Sequence, residues 1–174
     1  MEAAKALDAY LVEVTLVDAR NHHLFQPLLY QVAMAGLSPA DIAIPIRTVL
    51  SRYPKVRTLM ATVRAVDLEA KKVHLDGGDS LDYDYVIVAA GARTNYFGKA
   101  HWRTHSCGLK SVEDALEIRR RVLLAYERAE RSDSTKEKEK ILTFVVIGGG
   151  PTGVELAGAL AELSDHMISQ DYAN

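Results

Sequence analysis

ILTFVVIGGGPTGVELAGALAEL, residues 141–163, decides how this chain is read. An apolar, partly β-branched run suited to a buried strand comes first, then glycines, then a helix-forming stretch rich in alanine and leucine. Gly148, Gly150 and Gly153 make G-x-G-x-x-G at the junction of that strand and that helix. The first glycine allows a tight turn, the second lets a pyrophosphate approach the backbone, and the third permits close packing of helix on strand. Helix amides and the positive end of the helix dipole would then face phosphate oxygens. A bare G-x-G-x-x-G can also be a turn that binds nothing. The flanking strand and helix, with Ala157 spaced for packing, favour the nucleotide reading.

Immediately upstream, residues 127–140 (ERAERSDSTKEKEK) are dense in charge and lose the apolar period after Ala129. They read as a solvated linker, with a domain boundary near residue 135. Before them lies the best helix in the chain. Ser111 opens it with Asp114 in capping-box spacing, and Val112, Ala115, Leu116, Val122, Leu123, Tyr126 and Ala129 form its apolar face. Glu117 with Arg121, and Glu127 with Arg131, stand at i,i+4 on the wet side.

Further back the period changes to strands: RTLMATVRAV, AKKVHL, a Gly77-Gly78 turn, SLDYDY, and the nearly all-apolar YVIVAAG. These predict a small antiparallel insertion followed by a core strand. A helix is expected over residues 40–52, with Pro45 tolerated or kinking it, after a loop with short helical pieces. LVEVTLVD reads as a buried parallel strand ending on Asp18, and residues 2–9 as the end of a helix. A dinucleotide-binding unit places an acid there for an adenosine ribose, about 20 residues past its glycine loop. Taken alone, Asp18 reads more simply as a strand-end acid capping a turn.

The counts bound the rest. At 174 residues the chain can hold one ordinary domain or two small ones. Apolar residues at 48% and charged residues at 25% exclude disordered and fibrous classes. A net charge of -2 offers no basic footprint for nucleic acid. The single cysteine, Cys107, excludes an internal disulfide or a paired dithiol. Neither an export signal nor an apolar run of about 18 residues is present. Adjacent His22 and His23 point to opposite sides of an extended segment, and His101, His105 and Cys107 lack a fourth ligand, so no metal site is assigned.

Taken together, VTLVDARNHHLFQPLLYQVA, GLSPADIAIPIR, YDYVIVAAGA, GLKSVEDALEIRRRVL and GGGPTGVELAGALAEL resemble, in order and spacing, the type II NADH dehydrogenases. These non-proton-pumping NADH:quinone oxidoreductases belong to the two-dinucleotide-binding flavoproteins, and the likeness covers nearly the whole chain. It implies an α/β fold: a Rossmann-like FAD-binding domain with a small antiparallel β insertion, plus the first β-α unit of a second Rossmann-like NADH domain. Residues 1–135 would be a partial FAD domain without its first strand and glycine loop, and 136–174 the truncated start of the NAD(H) domain.

The resemblance also assigns roles. Asp18 would bind the FAD ribose with Arg20 nearby, and Phe25, Gln26, Pro27 and Leu28 would run beside the flavin and its linker. Val63 would meet the adenine through its backbone, while Ala90 and Gly91 would lie beside the FAD phosphates, Ala90 standing where threonine is common. Gly148, Gly150, Pro151, Thr152 and Gly153 would hold the NADH pyrophosphate, and Glu155 would approach nicotinamide and flavin as the catalytic acid. The cofactors implied are FAD and NADH, and the acceptor is a quinone. Full-length relatives attach peripherally to the inner face of the membrane, and a homodimer is compatible with the family. Two alternatives remain: a truncated fragment that binds nucleotide weakly or not at all and does not catalyse, and a related flavoprotein reductase with another acceptor. The absence of C-x4-C between Asp18 and Gly91 weighs against a disulfide reductase.

Overall fold

The computed structural model describes residues 1–168 and Tyr172. By internal contacts it divides into two compact units, Met1–Leu24 with Ala43–Ala92, and Phe25–Ile42 with Arg93–Asn174.

The first unit begins with helix α1 (Glu2–Leu7) and strand β1 (Val14–Asp18). β1 runs parallel to β4 (Val56–Met60), with Val14 opposite Val56 and Asp18 opposite Met60. β2 (His22–Leu24) pairs antiparallel with β3 (Ala43–Pro45), and α4 (Ile46–Leu50) follows directly. The single helix expected over residues 40–52 is therefore broken. Pro45 lacks an N–H and restricts Ile44 to extended backbone, so a helix starts afresh after it, burying Ile46 and Leu50. β5 (Val63–Asp67), β6 (Lys72–Leu75) and β7 (Ser80–Asp82) form the expected antiparallel insertion, but the run expected as one strand from Arg57 is split, its first part being β4 in the parallel pair. The glycines of the insertion's turn sit at φ 83° (Gly77) and 93° (Gly78), where side chains are strained.

Beyond β7, residues 85–90 depart from expectation: they belong to no ladder, and Tyr85, Ile87 and Val88 are exposed. Their composition suits burial between two parallel neighbours, but no strand among the described residues flanks them. The strand expected over residues 141–147 behaves likewise: Ile141 ends a helix, and Val145 and Ile147 are exposed.

The second unit is helical. A 3-10 turn over Gln26–Leu28 leads into α2 (Leu29–Ala33), which packs on α5 (Val112–Glu130) and buries Leu29, Val32 and Ala33. Ala35, just past the end of α2, sits at φ 62° while Gly36 N–H closes on the Gln31 carbonyl at 2.8 Å. This left-handed geometry costs a non-glycine residue about 1–2 kcal/mol. Ala35→Gly is expected to raise the thermal midpoint or leave it unchanged, despite the added freedom of the unfolded chain. A drop would show that the alanine methyl makes a packing contribution that outweighs the strain. A short α3 (Pro39–Ile42) completes this segment.

α5 starts with the expected capping box: Ser111 Oγ accepts from Asp114 N–H at 3.1 Å, and Asp114 accepts from Ser111 N–H at 3.0 Å. Ala115, Val122, Tyr126 and Ala129 are buried, while Leu116 and Leu123 stay on the surface. Glu117 receives both Arg120 (2.8 Å) and Arg121 (2.7 Å), one partner more than the i,i+4 rule predicted. By contrast, Arg131 Nε donates to the Glu127 backbone carbonyl, and the Glu127 carboxylate accepts from the Tyr172 hydroxyl. Hydrogen bonds from Arg120 and then Arg121 hold Glu117 well below its ordinary 4.5, at about 2.

A depressed carboxylate pKa contributes stability above the unfolded value, and that contribution disappears as pH falls through the folded value. Helix content should therefore decline between pH 4.5 and 2 more steeply in the native chain than in Glu117→Gln, as read by circular dichroism. Identical acid profiles would mean that this surface cluster adds nothing measurable.

The charged stretch after α5 is not an unstructured linker. Ser134 caps a further helix, α6 (Thr135–Ile141), by accepting from Glu137 N–H. Lysine and glutamate are good helix formers, and one polar cap is enough to start a solvated helix there. After residues 143–150 comes α7 (Pro151–Glu162), passing into a π-helical turn over Leu163–Ile168.

Candidate dinucleotide-binding site

The start of α7 has the geometry that its glycines require. Gly148 lies at φ 113°, inaccessible to ordinary side chains. Gly150 is the N-cap, with no side chain capping the helix, and Pro151 occupies the first turn, where a missing N–H costs nothing. The Gly150 carbonyl accepts from Gly153 (3.0 Å) and Val154 (3.1 Å). A Cβ on Gly153 would overlap the carbonyl oxygen of Gly148 and approach the Val146 side chain. Thus the third glycine is required by contact between the helix and the segment leading into it, as the motif's mechanics demand. Pro151 has no N–H and the Gly153 N–H bonds within the turn, so an anion here would meet the Thr152 amide and the positive end of the helix dipole.

Glu155 lies further along α7 on its exposed surface. It lines an open groove of about 820 Å³ between α7 and α2, with Gly158 and Glu162 on its own helix and Tyr30, Gln31 and Met34 opposite. None of those three residues, two in α2 and Met34 at its end, was singled out from sequence. Their positions, directly after the FQPL segment, were the available signal. Phe25 is exposed, and its N–H donates to the Ile42 carbonyl at 2.8 Å, closing the base of a loop. Gln26, Pro27 and Leu28 form the 3-10 turn that continues into α2. Phe25, Gln26, Pro27, Leu28, the glycine turn and Glu155 therefore all lie in the second unit.

Asp18, Arg20, Val63, Ala90 and Gly91 lie in the first unit. The Asp18 carboxylate accepts from the Arg20 N–H at 2.8 Å, the turn-capping role that an isolated strand-end acid would have. Its backbone carbonyl accepts from Ala61 N–H at 3.0 Å. The carboxyl ends of β1 and β4 are thereby level, and Val63 follows two residues after Ala61. Ligands of open parallel sheets bind at that end of the strands. Gly91 stands at φ 71° in an exposed segment, and an added Cβ there would meet nothing within 4 Å. Among the described residues, no group of three or more His, Cys, Asp or Glu side chains converges as a metal site.

A parallel strand pair ending on an acid and a glycine turn opening a helix define a mixed α/β fold with a Rossmann-like nucleotide-binding region. The chain belongs to the pyridine nucleotide-disulphide oxidoreductase family, whose model matches residues 1–170. It is 47% identical to the type II NADH:quinone oxidoreductase NdhA of Mycobacterium tuberculosis, over 97% of this chain and 37% of that protein. Ndh from the same organism is 46% identical, with the same coverage. The structure of NDH2 from Plasmodium falciparum in complex with NADH superposes with a TM-score of 0.84 at 30% identity, covering 92% of this chain and 34% of that one. The chain thus spans about 37% of the length of these curated relatives.

Proposed function

We propose that this chain carries the cofactor-binding part of an FAD-dependent NADH:quinone oxidoreductase. The glycine turn carries the proposal: Gly148 at φ 113° and the Gly153 contact with Gly148 leave a bare helix N-terminus suited to a pyrophosphate. Gly148, Gly150, Pro151, Thr152 and Gly153 hold NADH there. Asp18 binds the FAD ribose from the carboxyl end of β1, with Arg20 beside it and Val63 offering its backbone to the adenine. Ala90 and Gly91 border the FAD phosphates, and the φ of 71° at Gly91 fits close backbone approach. Phe25, Gln26, Pro27 and Leu28 lie along the flavin, and Glu155 supplies a carboxylate near the reacting rings. The chemistry supplied by bound FAD is acceptance of a hydride from NADH and delivery of electrons to a quinone. The protein's part is to hold, orient and shield the rings.

We assign residues 1–135 to the FAD domain and 136–174 to the start of the NADH domain, a division that rests on the likeness to the family, since the compact units of the fold divide elsewhere. In the full-length protein, attachment to the inner membrane face would be peripheral, and two copies would associate. No helix among the described residues is long and apolar enough to cross a membrane. A second reading, nucleotide binding without turnover, is favoured by the exposed apolar residues 85–88 and 145–147.

Titrating NADH with the chain, and following nicotinamide fluorescence, is expected to give a saturable change that ADP-ribose reverses. A signal that never saturates would contradict pyrophosphate binding at the glycine turn.

A further inference from the structure

Arg119 of α5 is a cation that neither the glycine turn nor the surface ion pairs explain. Arg119 lies on the buried side of α5, between Ala115 and Val122, and is itself half-buried. Its Nε donates to the Val32 carbonyl at 2.7 Å and its terminal nitrogen to the Leu37 carbonyl, also at 2.7 Å. One planar guanidinium thus ties both sides of the strained Ala35 turn to a helix more than eighty residues away. The same segment is closed at its base by Phe25 N–H on Ile42. Between those ties lie residues 26–28 and the Tyr30, Gln31 and Met34 wall of the groove that Glu155 shares.

We propose that Arg119 is a positioning residue for flavin binding, holding residues 25–37 in the conformation that receives the isoalloxazine side of FAD. It acts through the backbone of α2 and touches no cofactor itself. The inference rests on the flavin-binding reading above. Short carbonyl contacts from a fixed fork are geometrically demanding, so lysine, with one ammonium, reaches one acceptor and leaves the other unmet.

The test compares the native chain with Arg119→Met, which retains an apolar stem, and Arg119→Lys. Two readouts are taken: amide exchange of residues 29–37 without cofactor, and FAD affinity with the visible circular dichroism of bound flavin. The expected result is faster exchange across 29–37, FAD affinity lowered about tenfold in Arg119→Met, an altered flavin dichroism, and intermediate behaviour in Arg119→Lys. Faster exchange with unchanged affinity and dichroism would overturn the proposal and leave Arg119 a tie within the fold. Unchanged exchange would overturn it too, because the clamp would then hold nothing. If the native chain takes up no FAD, the flavin reading fails and this assignment fails with it, whereas failure of the variants alone to differ removes only the assignment.

Discussion

Replacing Gly153 with alanine is expected to abolish saturable NADH binding at accessible concentrations while leaving α5 intact. The added methyl would overlap the Gly148 carbonyl oxygen, so either the turn opens or α7 moves away from residues 146–148. Overpacking of this kind costs about 1–3 kcal/mol even where side chains can yield, and here the obstacle is backbone. That range alone corresponds to roughly 5- to 150-fold in affinity if the loss falls on the bound geometry. Calorimetric titration checks it. Gly158→Ala, whose added Cβ meets nothing within 4 Å, separates this overlap from the general effect of a methyl on the same helix. Equal affinity in Gly153→Ala would mean that the phosphate site lies elsewhere.

The largest stability effect should come from Leu29→Ala. Leu29 is 1% exposed, at the first position of α2, where that helix packs on α5. Truncation removes most of a fully buried side chain and leaves a void, which costs about 2–5 kcal/mol in well-packed sites. A domain held by about 5–15 kcal/mol would lose a large share of its margin. Urea unfolding monitored by helix dichroism should show a lower midpoint with an unchanged slope. A midpoint within error of the native chain would mean that α2 is not part of the cooperative core. Because α2 also carries the groove wall, FAD affinity should fall in parallel.

Much of this was legible in the residues. The capping box at Ser111 and the glycines of the β6–β7 turn each involve a local rule in which few residue types satisfy the backbone, and both formed; the strand ending on Asp18 pairs parallel as expected, but it begins at Val14 and none of its residues is buried. What failed depended on non-local partners. Residues 85–90 and 143–147 have the apolar composition of buried strands, but a strand exists only through its neighbours, and composition does not say which neighbours are present. Residues 135–141 failed in the opposite sense: charge suggested solvent exposure, correctly, yet an exposed segment with a serine cap can still be helical.

In the candidate site, Gly148 and Gly153 were legible because the backbone there excludes a side chain, whereas a Cβ on Gly150 would meet nothing within 4 Å. The groove wall of Tyr30, Gln31 and Met34 was not legible, since it depends on how α2 meets α7. Arg119 illustrates the same limit. It drew no reading from sequence, and its carbonyl acceptors lie in a distant segment that only the fold brings near.

The central claim, that this chain positions both FAD and NADH, is tested most directly by the visible absorption of the purified 174-residue chain. The protein is incubated with FAD, desalted, and treated with NADH without oxygen. The account predicts a retained flavin band that bleaches on addition of NADH. A colourless protein after desalting, or a flavin band indifferent to NADH, would contradict it.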